Sequence, residues 1–162
     1  MARSNLSYFD LKLGNTKITA IGTVSGLKRS RSGALANEGT DASEPVPYVG
    51  ATKHDNVQFT CTVISGDKGS AITDLEQMYS DHGKNDPDDT ATYANGTVTL
   101  YADEKFKTRV GSYALNRCKV LELDYGSGDR EDDTGKPWKL TVTLLVASGG
   151  WKDGNRTGGT GQ

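Results

Sequence analysis

Val57-Gln58-Phe59-Thr60-Cys61-Thr62-Val63 alternates apolar and polar side chains at every step, with Val57, Phe59, Cys61 and Val63 on one side and Gln58, Thr60 and Thr62 on the other. A period of two marks a strand with one face in a core and one in water, and β-branched and aromatic residues suit it. Downstream the period changes. Ile72, Leu75, Met78 and Tyr79 recur at helical spacing, with Ser70 ahead of them, Asp74 and Glu76 early and Gly83 beyond the end, which predicts an amphipathic helix. Its polar residues Thr73, Asp74, Gln77, Ser80 and Asp81 place it on a sheet with its other side in water.

Upstream of this strand the alternation disappears over residues 26–55, where Gly, Ser, Ala, charged residues, Pro45 and Pro47 dominate. A connection of this length without regular structure is uncommon in a compact domain and is usually disordered or put to use. Its few apolar residues, Leu27, Leu35, Val46, Tyr48 and Val49, are too sparse to pack on themselves, so the segment reads as an extended arm directed at a neighbouring surface. Before the arm, Phe9, Leu11 and Leu13 alternate with Asp10 and Lys12, Gly14-Asn15 makes a turn, and Ile18, Ala20, Gly22 and Val24 share a face. These two runs predict an N-terminal hairpin with a bend or bulge at Gly22.

After the Asp-rich loop beyond the helix come three more strand patterns. Val98 and Leu100 alternate with Thr97, Thr99 and Tyr101; a longer run from Tyr113 to Tyr125 moves its apolar register from Tyr113/Leu115 to Cys118/Val120 and back to Leu121/Leu123; and Leu140, Val142, Leu144 and Val146 share one face. A register change of one residue is what a β-bulge produces. Residues 149–162 are Gly-rich and polar, with Trp151 as the one large anchor. The whole predicts a single domain over 1–162, mainly β. Its expected form is an antiparallel barrel or curled sandwich of six or seven strands with one flanking helix and a long arm.

Composition narrows the function classes. With 19 basic and 21 acidic residues and a net charge of −2, no overall field draws the chain to nucleic acid or an anionic membrane. The longest apolar run, Leu144 to Ala147, is far short of a membrane-spanning helix. The first residues lack the apolar core of a secretory signal, so synthesis and assembly in the cytoplasm are expected. Cys61 and Cys118 lie inside strand patterns without metal or redox spacing and read as small buried hydrophobes, with a disulfide as the lesser alternative.

Catalytic chemistry finds no constellation. The two histidines, His54 and His82, fall in a loop and at a helix end, and no nucleophile, phosphate-binding or zinc-protease motif is present. Asp86/Asp88/Asp89 and Asp129/Glu131/Asp132/Asp133 miss the EF-hand spacing and read as solvated turns rather than cation sites. The run Lys28-Arg29-Ser30-Arg31 has no interleaved aromatics and makes a weak nucleic-acid patch. No catalytic, cofactor or metal site is expected. The alternatives that stay open are a virion structural protein such as a capsid decoration protein, and a small carbohydrate-binding β-sandwich.

In its order of a short hairpin, a long arm, a strand, a helix and further strands, the chain resembles the bacteriophage tail-tube proteins and the related tube protein of type VI secretion. Residues 57–63 followed by Ala71-Ile72-Thr73-Asp74-Leu75-Glu76-Gln77-Met78-Tyr79 look like the strand-then-helix segment of such subunits. The resemblance implies rings, typically hexameric, whose sheets join edge to edge and stack into a virion tail tube. DNA would pass through without specific binding, and sheath and baseplate or terminator proteins would be partners. It also gives the arm a role, with Tyr48 and Val49 as apolar anchors on an adjacent subunit and Arg29 or Arg31 meeting acidic turns there.

Overall fold

The computed structural model describes residues 8–18, 21–36, 44–63 and 70–153. Along the chain run β1 (Phe9–Leu13), β2 (Thr16–Ile18), β3 (Ile21–Ser25), β4 (Arg29–Ala36), β5 (Val46–His54) and β6 (Val57–Thr62), then the helix α1 (Ser70–Asp81). A 3-10 turn at Thr90–Thr92 leads into β7 (Ala94–Tyr101), β8 (Arg109–Asp124) and β9 (Lys139–Asp153). Seven strands form one antiparallel sheet in the order β2-β1-β7-β8-β9-β6-β3, while β4 and β5 pair only with each other.

The alternating patterns account for the sheet. Val57, Phe59 and Cys61 of β6 point inward against Leu144, Val142 and Leu140 of β9, their ladder partners. Leu11 and Leu13 of β1 and Val98 of β7 continue the same apolar face. The run from Thr16 to Val24, patterned as one strand, divides instead. β2 pairs with β1 after a turn at Gly14 (φ +63°), but β3 crosses to β6 at the opposite edge of the sheet.

This division fixes the shape. Ile18 and Ile21 are three residues apart, so their Cα atoms lie within about 10 Å, whereas seven strands laid flat would put the outer two roughly 29 Å apart. The sheet therefore has to curl until its two edges nearly meet. Gly22 serves the crossing: the β3–β6 register shifts there, and a Cβ at Gly22 would lie 2.9 Å from Thr60 Oγ1, the oxygen that accepts the Thr23 N–H at 3.0 Å.

Inside the curl the core is continuous from Leu11 to Val146, and α1 closes it with fully buried Leu75, supported by Ile72 and Met78. The two register changes read from β8 are both bulges. One extra residue opposite β7 falls between Leu115 and Cys118, where Arg117 takes φ +51° and its N–H is held by Asn95 Oδ1 at 3.0 Å. The other lies between Val120 and Glu122 opposite β9, and it leaves Leu121 exposed.

Two segments differ from their sequence reading. Residues 26–55, expected to lack secondary structure, contain the β4–β5 hairpin, and the first part of the Gly-rich 149–162 segment is the end of β9. Residues 154–162 lie outside the described residues. Neither piece buries an alternating apolar face, so neither shows the signal by which strands are recognised.

Core and hairpin should respond differently to truncation. Phe59→Ala is expected to cost about 3–5 kcal/mol in urea unfolding of the monomer, whereas Leu35→Ala, at a site 69% exposed, is expected to stay within about 0.5 kcal/mol.

Candidate assembly surface

Hairpin β4–β5 is a ribbon with water on both sides, and its register decides what each side carries. Residues paired in a ladder share a face. Arg29/His54, Arg31/Thr52, Gly33/Val49 and Leu35/Pro47 make one face; Ser30/Lys53, Ala34/Tyr48 and Ala36/Val46 make the other. A bulge between Arg31 and Gly33 sets Gly50 and Ala51 against Ser32, and a Cβ at Gly50 would sit 2.6 Å from Ser32 Oγ. The extra residue puts Val49 on the same side as the two arginines and leaves Tyr48 on the other.

The base of the ribbon is fastened to the barrel. His54 Nδ1 lies 2.7 Å from the Asp55 carbonyl, which can only accept, and Nε2 shares a hydrogen bond with the Tyr113 hydroxyl, also at 2.7 Å. The two rings meet edge to face at 5.7 Å between centroids. Burial holds the Tyr113 phenol above its ordinary range, with Arg29 partly opposing. Arg29 donates to the Gly149 carbonyl at 3.2 Å.

The glycines at the end of β9 are what let this contact form. A Cβ at Gly149 would come within 2.7 Å of the Ala114 carbonyl oxygen and 2.8 Å of His54 Nε2, and one at Gly150 within 2.9 Å of the Arg29 guanidinium. In the sequence His54 reads only as a candidate catalytic base, and nothing local ties it to Tyr113, Gly149 or Gly150. Two adjacent glycines at the end of an alternating strand were the available signal, since glycine within a strand marks close backbone approach.

The four residues read from sequence as interface anchors all lie on this ribbon, but not with one role. Arg29 is at the fastened base, and Arg31 donates from Nε to Thr52 Oγ1 at 2.8 Å within the ribbon. Tyr48 and Val49 sit toward the tip on opposite faces. The outer half of the two strands is apolar on both sides: Leu35 is 69% and Val49 65% exposed on one, Tyr48 45% and Val46 39% on the other. A free two-stranded ribbon is at best marginal in water, and this one exposes apolar surface on each face.

Elsewhere the side chains that suggested chemistry are structurally engaged. Cys61 and Cys118 are unbonded and buried, and burial pushes the Cys118 thiol up to about 12. Asp129 Oδ1 accepts the Glu131 N–H at 2.9 Å, and Asp132 Oδ1 accepts the N–H of Thr134 at 2.9 Å and its hydroxyl at 2.6 Å. These bonds hold the Asp132 carboxyl below its ordinary range. Among the described residues no three His, Cys, Asp or Glu side chains are grouped so as to hold a metal ion. Nor is any helix among them long and apolar enough to cross a membrane.

If the glycines seat the ribbon, Gly149→Ala should loosen it without unfolding the barrel. Trypsin cleavage at Arg31 and Lys53 is expected to accelerate several-fold while the barrel's thermal transition persists, and Tyr113→Phe should act in the same direction at about 0.5–1.5 kcal/mol.

No protein-family model matches the chain, and no curated protein matches it by sequence. Solved structures match by fold. A chain of the sheath–tube complex of PVC, an extracellular contractile injection system in its extended state, superimposes with TM-score 0.71 at 14% identity, over 93% of this chain and 92% of its own. A chain of the anti-feeding prophage tube-terminating cap gives TM-score 0.71 at 14% identity, covering 94% of this chain and 93% of its own. A chain of the anti-feeding prophage baseplate, 6-fold symmetrised, gives 0.64 at 13% identity, covering 96% and 100%. The likeness is one of fold and spans nearly the full length of each chain. The resemblance read from the order of elements thus carries through to the three-dimensional structure.

Proposed function

We propose, from a fold shared with chains of contractile injection systems, that this protein is a structural tube subunit and not an enzyme. The observation that carries the reading is the outer half of the ribbon's two strands, apolar and exposed on both faces, with the base fastened by Arg29 and His54. Such a surface fits burial between copies of the chain. Arg29 sets the angle of the ribbon, while Arg31, Tyr48 and Val49 meet the neighbouring subunit.

In this account copies join into stacked rings, hexameric as the tail-tube resemblance implies, and a rotation that does not close along the axis makes a tube rather than a finite particle. Sheath, baseplate and terminator proteins are its partners, as the 6-fold baseplate and sheath–tube neighbours suggest for the class. The tube belongs to a virion tail assembled in the host cytoplasm, and DNA passes through without being held. A net charge of −2 suits that passage, because dense phosphate contacts would retard it. A second reading, the tube of an injection device that is not a DNA-filled virion, is favoured by the identity of the neighbours; nuclease-protected DNA in purified particles separates the two.

A sugar-binding sandwich needs an aromatic platform, yet Trp138 precedes β9 and Trp151 lies near its far end, with Trp138 against Gly128 and Trp151 against Gly111. A capsid decoration protein would bind shells rather than form tubes.

Negative-stain microscopy of concentrated protein should show tubes with an axial hole. The double variant Leu35→Asp/Val49→Asp should keep the monomer's melting temperature and lose the tubes. Normal tubes from that variant would remove the role given to the ribbon.

A further inference from the structure

His82 follows the last residue of α1, where a cation would ordinarily be welcome near the helix C-terminus. It is not placed to serve as one. The side chain is buried, 6% exposed, and its Nδ1 accepts the Val120 N–H at 3.0 Å. β7 begins at Ala94, opposite Cys118, so beyond that point β8 has no strand on its β7 side. The imidazole stands where a strand carbonyl would be and satisfies the first backbone donor past the end of the ladder, next to the bulge between Val120 and Glu122.

The helix dipole is met by a different residue. Lys119 Nζ donates to the His82 carbonyl at 3.3 Å and to the Lys84 carbonyl at 2.6 Å, so the end of α1 and the start of the following loop are tied to β8 from both directions. That loop forms one wall of a cleft of about 420 Å³, with Asp86 and Pro87 facing Leu145 and Ala147 of β9.

We propose that His82 is an acid-released latch, whose protonation frees the end of α1 and the loop after it from β8 while the barrel stays folded. A protonated imidazole carries N–H on both nitrogens, so Nδ1 would turn a donor toward the Val120 N–H and the bond would be lost. The charged groups acting on the ring are Lys119 from β8, which opposes a second positive charge, and Asp81 from α1, which favours it. Burial is the larger influence, and together these set the ring's affinity for a proton below its ordinary value of 6.5. The unfolded chain therefore takes up the proton first. The latch's contribution to stability is complete above pH 6.5 and is lost as the pH falls below it. The inference rests on the fold alone and holds whether or not the chain forms tubes.

His82→Asn tests it, because the amide oxygen can occupy the position of Nδ1 and accept the Val120 N–H without titrating. Between pH 7.5 and 5.0 the wild-type melting temperature should fall by roughly 3 °C or more beyond the fall of the variant. Over the same range the Val120 amide should lose exchange protection, corrected for intrinsic rates, while the Val142 amide keeps it. Equal falls in the two proteins, or loss of protection at Val142 together with Val120, would overturn the latch. Should the variant fail to fold, the wild-type His82 ring nitrogen shifts decide: titration below 6.5 in step with Val120 exposure supports it, and titration with Val120 still protected overturns it.

Discussion

Opposite edges of a seven-stranded sheet are held together by a connection of two residues between Ile18 and Ile21. That tether, rather than any single contact, forces the sheet to curl, and curling gives the inward faces of β1, β6, β7, β8 and β9 one common interior. Phe59, Leu75 and Leu144 are fully buried because the sheet wraps them and α1 covers the opening. The low apolar content of the chain, 34%, suffices because alternation directs it to one side of each strand.

Curling also leaves β4 and β5 outside. With β3 and β6 adjacent in the sheet, the chain between them has to leave the barrel and return beside its starting point, and it does so as the β4–β5 ribbon. Its base is fixed by a bond from Arg29 to Gly149 and by the His54–Tyr113 contact, with glycine admitting the close approach. Fixing the base of the ribbon presents its apolar outer half in one orientation, which suits the proposed burial between copies. A loosely hinged arm would lose more conformational freedom on binding.

Much of this was legible in the sequence where a residue's neighbours in the chain determine its environment. Val57 to Thr62, the helix around Leu75, and both bulges in β8 follow from local periodicity, and Gly22 marked the irregularity found in β3. The crossing of β3 to the far edge was not legible, because Ile18 and Val24 satisfy one alternating pattern whether they face one half of the barrel or two. The ribbon was hidden for the opposite reason: its Ala34, Tyr48 and Val49 are exposed, so no alternation between core and water is written into it. On the ribbon, Tyr48 and Val49 were named from the role that the tail-tube resemblance implies, while Tyr113, Gly149 and His54 depended on partners distant in sequence. His82 resembled a routine helix terminus until the end of β7 showed which donor it satisfies.

The central claim is that the outer half of the ribbon's two strands is solvent-exposed in the lone subunit and covered by sister copies in the assembled state. Hydroxyl-radical footprinting of dilute and concentrated protein reads this directly at Leu35, Tyr48 and Val49. Oxidation at all three should drop steeply as sedimentation shows assembly, with Leu121, exposed on β8, as a comparison site. Assembly with undiminished oxidation at these three residues, or no assembly at any concentration, would contradict the account.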